Sequence, residues 1–157
     1  MSNFGVSPVK PVVVAVDVDE VLAHLIPTLC EFHNDRYGSS YSAADMHSYA
    51  FHEVWGGTPA ETTAKMEEFY LSEYWDKRVA PVAGAAEGLR WLRQVTGCEL
   101  HIVTARQFSL QDKTREWIQQ HYPDLFTSIS FGNHYGASGR KKSKPDMCRE
   151  IGAYTYA

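Results

Sequence analysis

The stretch VVVAVDVDEVLAH, residues 12–24, runs five apolar positions straight into Asp17, Asp19 and Glu20. Carboxylates at i and i+2 around a strand end can both reach one small cation, and Mg²⁺ is commonly held by one or two carboxylates together with phosphate oxygens. A second apolar run, ELHIV at 99–103, ends in Thr104, Ala105 and Arg106. A hydroxyl from Thr104 and the main-chain N–H of Ala105 or Arg106, at the start of the next helix, would suit an anion such as phosphate. The third element is the basic run Arg140, Lys141, Lys142, Lys144. Lys144, just before a helix expected to begin at Pro145, is the residue best placed to meet a phosphate there, with Lys142 the nearest alternative. Each element also has a plainer reading. The acids cap the following helix, Thr104 is a helix N-cap, and the lysines form a solvated loop.

These side chains need elements that bring them to one edge. Residues 1–10 read as a loose lead-in, and 11–17 as a buried strand. From Val21 to about Tyr37 the apolar residues recur at helical spacing, and Gly38 stops the pattern. Residues 39–58 mix aromatics with turn formers; Thr58-Pro59 then opens a helix to about Tyr74, with Pro59 in its first turn. After Pro81 the order becomes helix 83–95, strand 99–103, helix 110–121, strand 128–131, a Gly-rich basic loop, helix 145–151 and strand AYTYA. Repeated strand-then-helix order predicts an α/β fold: a three-layer, Rossmann-like parallel sheet with a small helical cap inserted after the first strand. The core is expected at 1–23 and 80–157 and the cap at 24–79. Ligands of open α/β sheets sit beyond the carboxyl ends of the strands, where Asp17, Asp19 and Thr104 would all emerge.

Composition narrows the function classes. A chain of 157 residues suits one domain with a small insert. With 44% hydrophobic residues, 22% charged and a net charge of −4, it is neither a disordered acidic tail nor a binder of nucleic-acid polymers. No apolar run reaches membrane-spanning length and no secretory leader is evident, so a cytoplasmic location is expected. Cys30, Cys98 and Cys148 are an odd number at wide spacing, as reduced core cysteines would be. The seven histidines show no ligand spacing, although His24 lies close enough to the acids to reach a cleft there.

The series DVDEVL, then HIVTAR, then KKSKPDMCREIGA resembles the haloacid dehalogenase-like phosphatase superfamily across residues 12–153. Its first three signatures are a DxD after strand 1, a Ser or Thr after strand 2 and a Lys before a late helix. PVAGAAEGLRWL followed by VTAR resembles the deoxyribonucleotidase-like members. The resemblance implies a phosphomonoester hydrolase acting on nucleotides or other small phosphorylated metabolites. Asp17 would be the nucleophile that forms an aspartyl-phosphate, and Asp19 the acid and base. Thr104 and Lys144 would hold phosphoryl oxygens, Mg²⁺ would lie between Asp17 and the phosphate, and the Asp19 main-chain carbonyl would be a further metal ligand.

The chain departs from that pattern twice. Position 20 is Glu where the superfamily usually has Gly, and its side chain is expected in solvent. The fourth signature, an acidic pair completing the Mg²⁺ shell, would follow AYTYA directly, so the core is expected to be C-terminally incomplete. That would leave strand 154–157 as an uncovered edge through which a second copy could pair, giving a homo-oligomer. The alternative function is therefore a catalytically impaired binding module of the same fold. A response-regulator receiver domain also combines acids, a Thr and a Lys, but its phosphoacceptor Asp would fall where this chain has WGGTPAETT, inside the helical insert. The cap aromatics Tyr41, Tyr49, Phe51, Trp55, Phe69, Tyr70, Tyr74 and Trp75 are read as the cap's own core or as rings to stack a base.

Overall fold

The computed structural model describes residues 10–134, 136 and 139–156. Apart from Lys10, the expected lead-in lies outside the described residues, as does part of the Gly-rich loop. Strand β1 (Val13–Val16) is apolar throughout, and its pleat sends Val14 and Val16 to one face and Ala15 to the other. It pairs in parallel with β4 (Glu99–Thr104), from Val13 opposite Glu99 to Val16 opposite Ile102. Beyond β4 lies β5 (Ser128–Phe131), and β6 (Thr155–Tyr156) runs parallel on the far side of β1. The resulting order, β5-β4-β1-β6, is all parallel and must be covered on both faces.

That cover is unequal. On one face Val14, Val16, Leu100 and Ile102 join a large core with Leu29, Trp117, Ile118 and Tyr122. On the other, Ala15 and Val103 pack on Met147, Cys148 and Ile151 of α7 (Lys144–Ile151). The predicted three layers are thus present, with the heavier core on one side. Ile102 is 0% exposed, so cutting it to Ala costs about 2–5 kcal/mol.

Helix α1 (Leu25–Tyr37) starts later than Val21, the expected position, and ends at Gly38 with φ 66°. The delay has a local cause. The amides of Leu22 and Ala23 both donate to the Val18 carbonyl, at 2.9 and 2.8 Å, closing a tight loop. Ala23 and His24 then form β2, antiparallel to β3 (Ala80–Pro81). This ribbon, which the sequence did not reveal, ties together the two ends of the helical segment between them.

Within that segment lie α2 (His52–Trp55), α3 (Pro59–Tyr70) and α4 (Glu73–Arg78). Thr58 and Glu61 form a capping box around Pro59, as the Thr-Pro start predicts. The helix expected to reach Tyr74 breaks at Leu71, because Ser72 caps a new helix and accepts from the Tyr74 amide at 3.3 Å. Phe32 of α1 meets Phe69 and Tyr74 edge-on, with centroids 5.4 and 5.5 Å away. Trp75 packs on Trp117 of α6 (Gln111–His121) at 5.7 Å, fixing the helical segment to the sheet unit. Helix α5 (Ala85–Thr96) ends at Gly97, and Cys30, Cys98 and Cys148 are all free thiols.

Candidate active site

Past the ends of β1 and β4 a cleft of about 690 Å³ opens toward the helical segment. Asp17, Asp19, Glu20, Ala105, Arg106 and Lys144 line one wall; Tyr49, Phe51, Thr62, Thr63, Met66 and Tyr70 line the other.

Asp17 Oδ1 accepts from the Val18 amide at 2.8 Å, which turns Oδ2 toward Lys144 Nζ, its hydrogen-bonded ion-pair partner. Lys144 opens α7, one residue before the expected start, because Ser143 is the N-cap and accepts from the Asp146 amide at 3.2 Å. Burial works against the Lys144 charge, but hydrogen bonds to Asp17 and Tyr156 outweigh it and hold its pKa above the ordinary lysine value. The remaining lysines are elsewhere. Lys142 Nζ binds Glu150 at 2.6 Å, away from the cleft lining, and Lys141 is exposed.

Asp19 is held from the other side. Arg106 Nη2 donates to its Oδ1 at 2.6 Å and Nε donates to its Oδ2 at 3.3 Å. The guanidinium is 3% exposed and lies 4.9 Å from the Tyr70 ring centre and 4.5 Å from that of Trp75. Burial again opposes the charge, while Asp19 and its neighbours more than restore it, so the Arg106 pKa rises. Sequence reasoning considered Arg106 for its amide; the side chain is what reaches the site.

The phosphate-binding expectation around Thr104 needs revision in its local geometry. No helix begins at 105: residues 105–107 are loop, a short 3₁₀ turn spans Phe108–Leu110, and α6 starts at Gln111. Thr104 is fully buried beneath the cleft wall, and its hydroxyl accepts from the Arg106 amide at 3.4 Å. Only Ala105 and Arg106 of this group reach the lining. The loop is nevertheless fixed, because the amides of Gly132, Asn133 and His134 donate to the carbonyls of Thr104, Arg106 and Ala105 at 2.7, 3.0 and 3.0 Å.

Glu20 does not point freely into solvent. Its Oε1 accepts from the Ile26 amide at 2.7 Å, in the first turn of α1, and Oε2 lies 3.4 Å from His24 Nδ1. The helix-capping role that was the plainer reading of the acidic cluster therefore falls to Glu20. Its φ of 60° lies in the left-handed region, where a residue without a Cβ is at ease. His24 is turned outward, 57% exposed, and is not among the residues lining the cleft.

The cap aromatics divide. Phe69, Tyr70 and Trp75 are buried, whereas Tyr49 is 62% exposed at the cleft. Burial first, then the charges of Glu20, Asp19 and Asp17, raise the Tyr49 pKa, and Tyr49 lines the same cleft as these acids. Among the described residues, Thr62 Oγ1 is buried in the cap wall without a hydrogen-bond partner.

Mg²⁺ asks for hard oxygen donors, and of the three acids lining the cleft Asp17 and Asp19 stand together past the end of β1 to supply them. Among the described residues no group of three His, Cys, Asp or Glu converges. Asp17 and Asp19 still fit an ion that completes its shell with waters and substrate phosphate. Among the described residues no helix is long and apolar enough to cross a membrane.

The chain resembles known proteins in sequence and in fold. A family model described as "5' nucleotidase, deoxy (Pyrimidine), cytosolic type C protein" matches residues 10–134. No curated protein sequence matches significantly. Among solved structures, a predicted phosphatase from Clostridium acetobutylicum superposes with a TM-score of 0.64 at 12% identity, over 90% of this chain and 68% of its own. A predicted phosphoglycolate phosphatase from Haemophilus somnus 129PT gives 0.60 at 16%, over 94% and 75%. A HAD-superfamily hydrolase of subfamily IA from Geobacter sulfurreducens PCA gives 0.55 at 16%, over 91% and 73%. These likenesses establish the shared fold.

Proposed function

Since the chain belongs to the cytosolic type C 5'-deoxynucleotidase family and is a phosphatase, we propose that it hydrolyses small phosphomonoesters, nucleotides foremost, through an aspartyl-phosphate on Asp17. The carrying observation is the pairing at the strand ends: Asp17 faces Lys144 and Asp19 faces Arg106 in one cleft.

In the first step an Asp17 carboxylate oxygen attacks phosphorus, the bond from phosphorus to the leaving oxygen breaks, and Asp19 gives that oxygen a proton. In the second, Asp19 takes a proton from water, the water oxygen attacks phosphorus, and the bond to Asp17 breaks to restore the carboxylate and release phosphate. Lys144 meets the phosphoryl oxygens as a point charge, and the fixed loop after Thr104 would offer them the Ala105 amide. Mg²⁺ would be held by the Asp17 carboxylate and by Asp19 through its main-chain carbonyl, which leaves the Asp19 carboxylate to proton transfer, and it would neutralise phosphate charge. The cap wall, apolar and carrying the Tyr49 ring, admits a flat base more readily than a second phosphate. The family's cytosolic designation supports action in the cytoplasm.

The test is a screen of phosphomonoesters with and without Mg²⁺. Mg²⁺-dependent turnover with nucleoside monophosphates ahead of sugar phosphates supports the reading. Failure to hydrolyse any member of the panel overturns it.

A further inference from the structure

We infer that Arg106 is a positioning residue that holds Asp19 as the base of the second, water-activating step. This rests on the reading of Asp19 given above, but nothing in that reading requires a guanidinium on the Asp19 carboxylate. Three observations carry it. The guanidinium presents two donors to the two carboxylate oxygens, at 2.6 and 3.3 Å, and this fork fixes the plane of the carboxylate as well as its place. The fork is itself immobilised, since Arg106 Nη1 donates to Thr114 Oγ1 at 3.0 Å and the Tyr70 and Trp75 rings flank it. Finally, the assembly is buried: Arg106 is 3% and Thr114 0% exposed, while the Asp19 side chain keeps 22% exposure and lines the cleft. A carboxylate so held turns its remaining lone pairs to the substrate side.

Taking a proton from water needs a carboxylate oriented toward that water, and the fork supplies the orientation. With a leaving group that departs without a proton, only this second step calls on Asp19, so loss of Arg106 slows breakdown of the aspartyl-phosphate more than its formation. Because Tyr70 and Trp75 belong to the helical segment and Asp19 to the sheet edge, Arg106 also transmits the seating of that segment to the base.

The test uses p-nitrophenyl phosphate, whose phenolate leaves without a proton, so that only the second step calls on Asp19. For Arg106→Gln the expected result is a fall of about tenfold or more in kcat with a parallel fall in KM, leaving kcat/KM within about threefold. A pre-steady-state burst of p-nitrophenol and covalent phosphate on Asp17 after acid quench should accompany it. Arg106→Lys, which keeps the charge and loses the fork, should restore part of kcat. Thr114→Val should show the same signature more weakly, and it serves if Arg106→Gln does not fold. Asp19→Asn is the control, expected to accumulate the phospho-enzyme. If Asp19→Asn accumulates none, the assignment of Asp19 fails and this inference with it. If Asp19→Asn accumulates it but the Arg106 and Thr114 variants lose kcat/KM as much as kcat, without a burst, Arg106 is only a brace between segments and the inference is overturned.

Discussion

The two walls of the cleft are built on opposite plans. On the sheet side each acid facing the cleft already has a partner: Asp17 with Lys144, Asp19 with Arg106, Glu20 with the Ile26 amide and His24. The first two pairs join residues 127 and 87 positions apart, so they exist only because the parallel sheet brings distant strand ends and a late helix to one edge. The opposite wall is mostly aromatic and aliphatic, drawn from one stretch of chain, and it contains an unpartnered hydroxyl at Thr62. A wall whose side chains are paired suits chemistry, where small displacements are costly. An apolar wall of local origin suits selection among substrates.

Substitutions should separate the two. Asp17→Asn keeps the shape of the nucleophile and removes its charge; turnover is expected to fall at least about 100-fold with an unchanged melting temperature, checked by steady-state assay and calorimetry. Lys144→Ala should lower kcat/KM by about 10²- to 10³-fold. Lys142→Ala removes only a surface pair with Glu150 and should stay within about twofold. The reverse order would move the phosphate site into the basic loop. On the cap wall, Tyr49→Ala should raise KM for a nucleoside monophosphate about three- to tenfold with kcat unchanged. A matching loss in kcat would place that ring in the chemistry and break the contrast between the walls.

The cap also carries its own pH dependence. His33 is 4% exposed, stacked on Trp55 at 4.5 Å, and its Nε2 lies 3.3 Å from Lys65 Nζ. Burial, then the Lys65 charge, pushes its pKa down to about 4 from 6.5. The unfolded chain therefore binds the proton more readily, so this contribution is complete above about pH 6.5 and is lost as pH falls toward 4. The loss is at most about 3 kcal/mol, read from urea unfolding across that range. His33→Gln should flatten the dependence.

Much of the sheet wall was legible because its signals are local. An apolar run ending in acids and a lysine beside a helix start are visible without the fold, whereas the hydroxyl of Thr104, equally visible, lies buried beneath the wall. The Arg106 fork was not legible. TAR displays the basic side chain, but only the sheet register shows that it turns back to Asp19. Glu20 was missed for a different reason. Its cap reaches six residues forward to Ile26 instead of the three of a capping box, so no spacing rule announces it. The β2-β3 ribbon is two residues on each side, too short for any periodicity to register. The cap helix boundary at Leu71 went unseen because Ser72 lies within a continuing helical pattern and acts as a cap only once the chain turns.

The central claim is that the sheet wall acts through a covalent bond to Asp17. The most direct measurement is rapid acid quench of the enzyme turning over p-nitrophenyl phosphate, followed by peptide mass spectrometry, with Asp19→Asn included to slow breakdown of the intermediate. The account predicts phosphate on the peptide containing Asp17, increased in Asp19→Asn and absent in Asp17→Asn. Turnover by the native chain with no phosphate on Asp17 in either the native or the Asp19→Asn protein would contradict it.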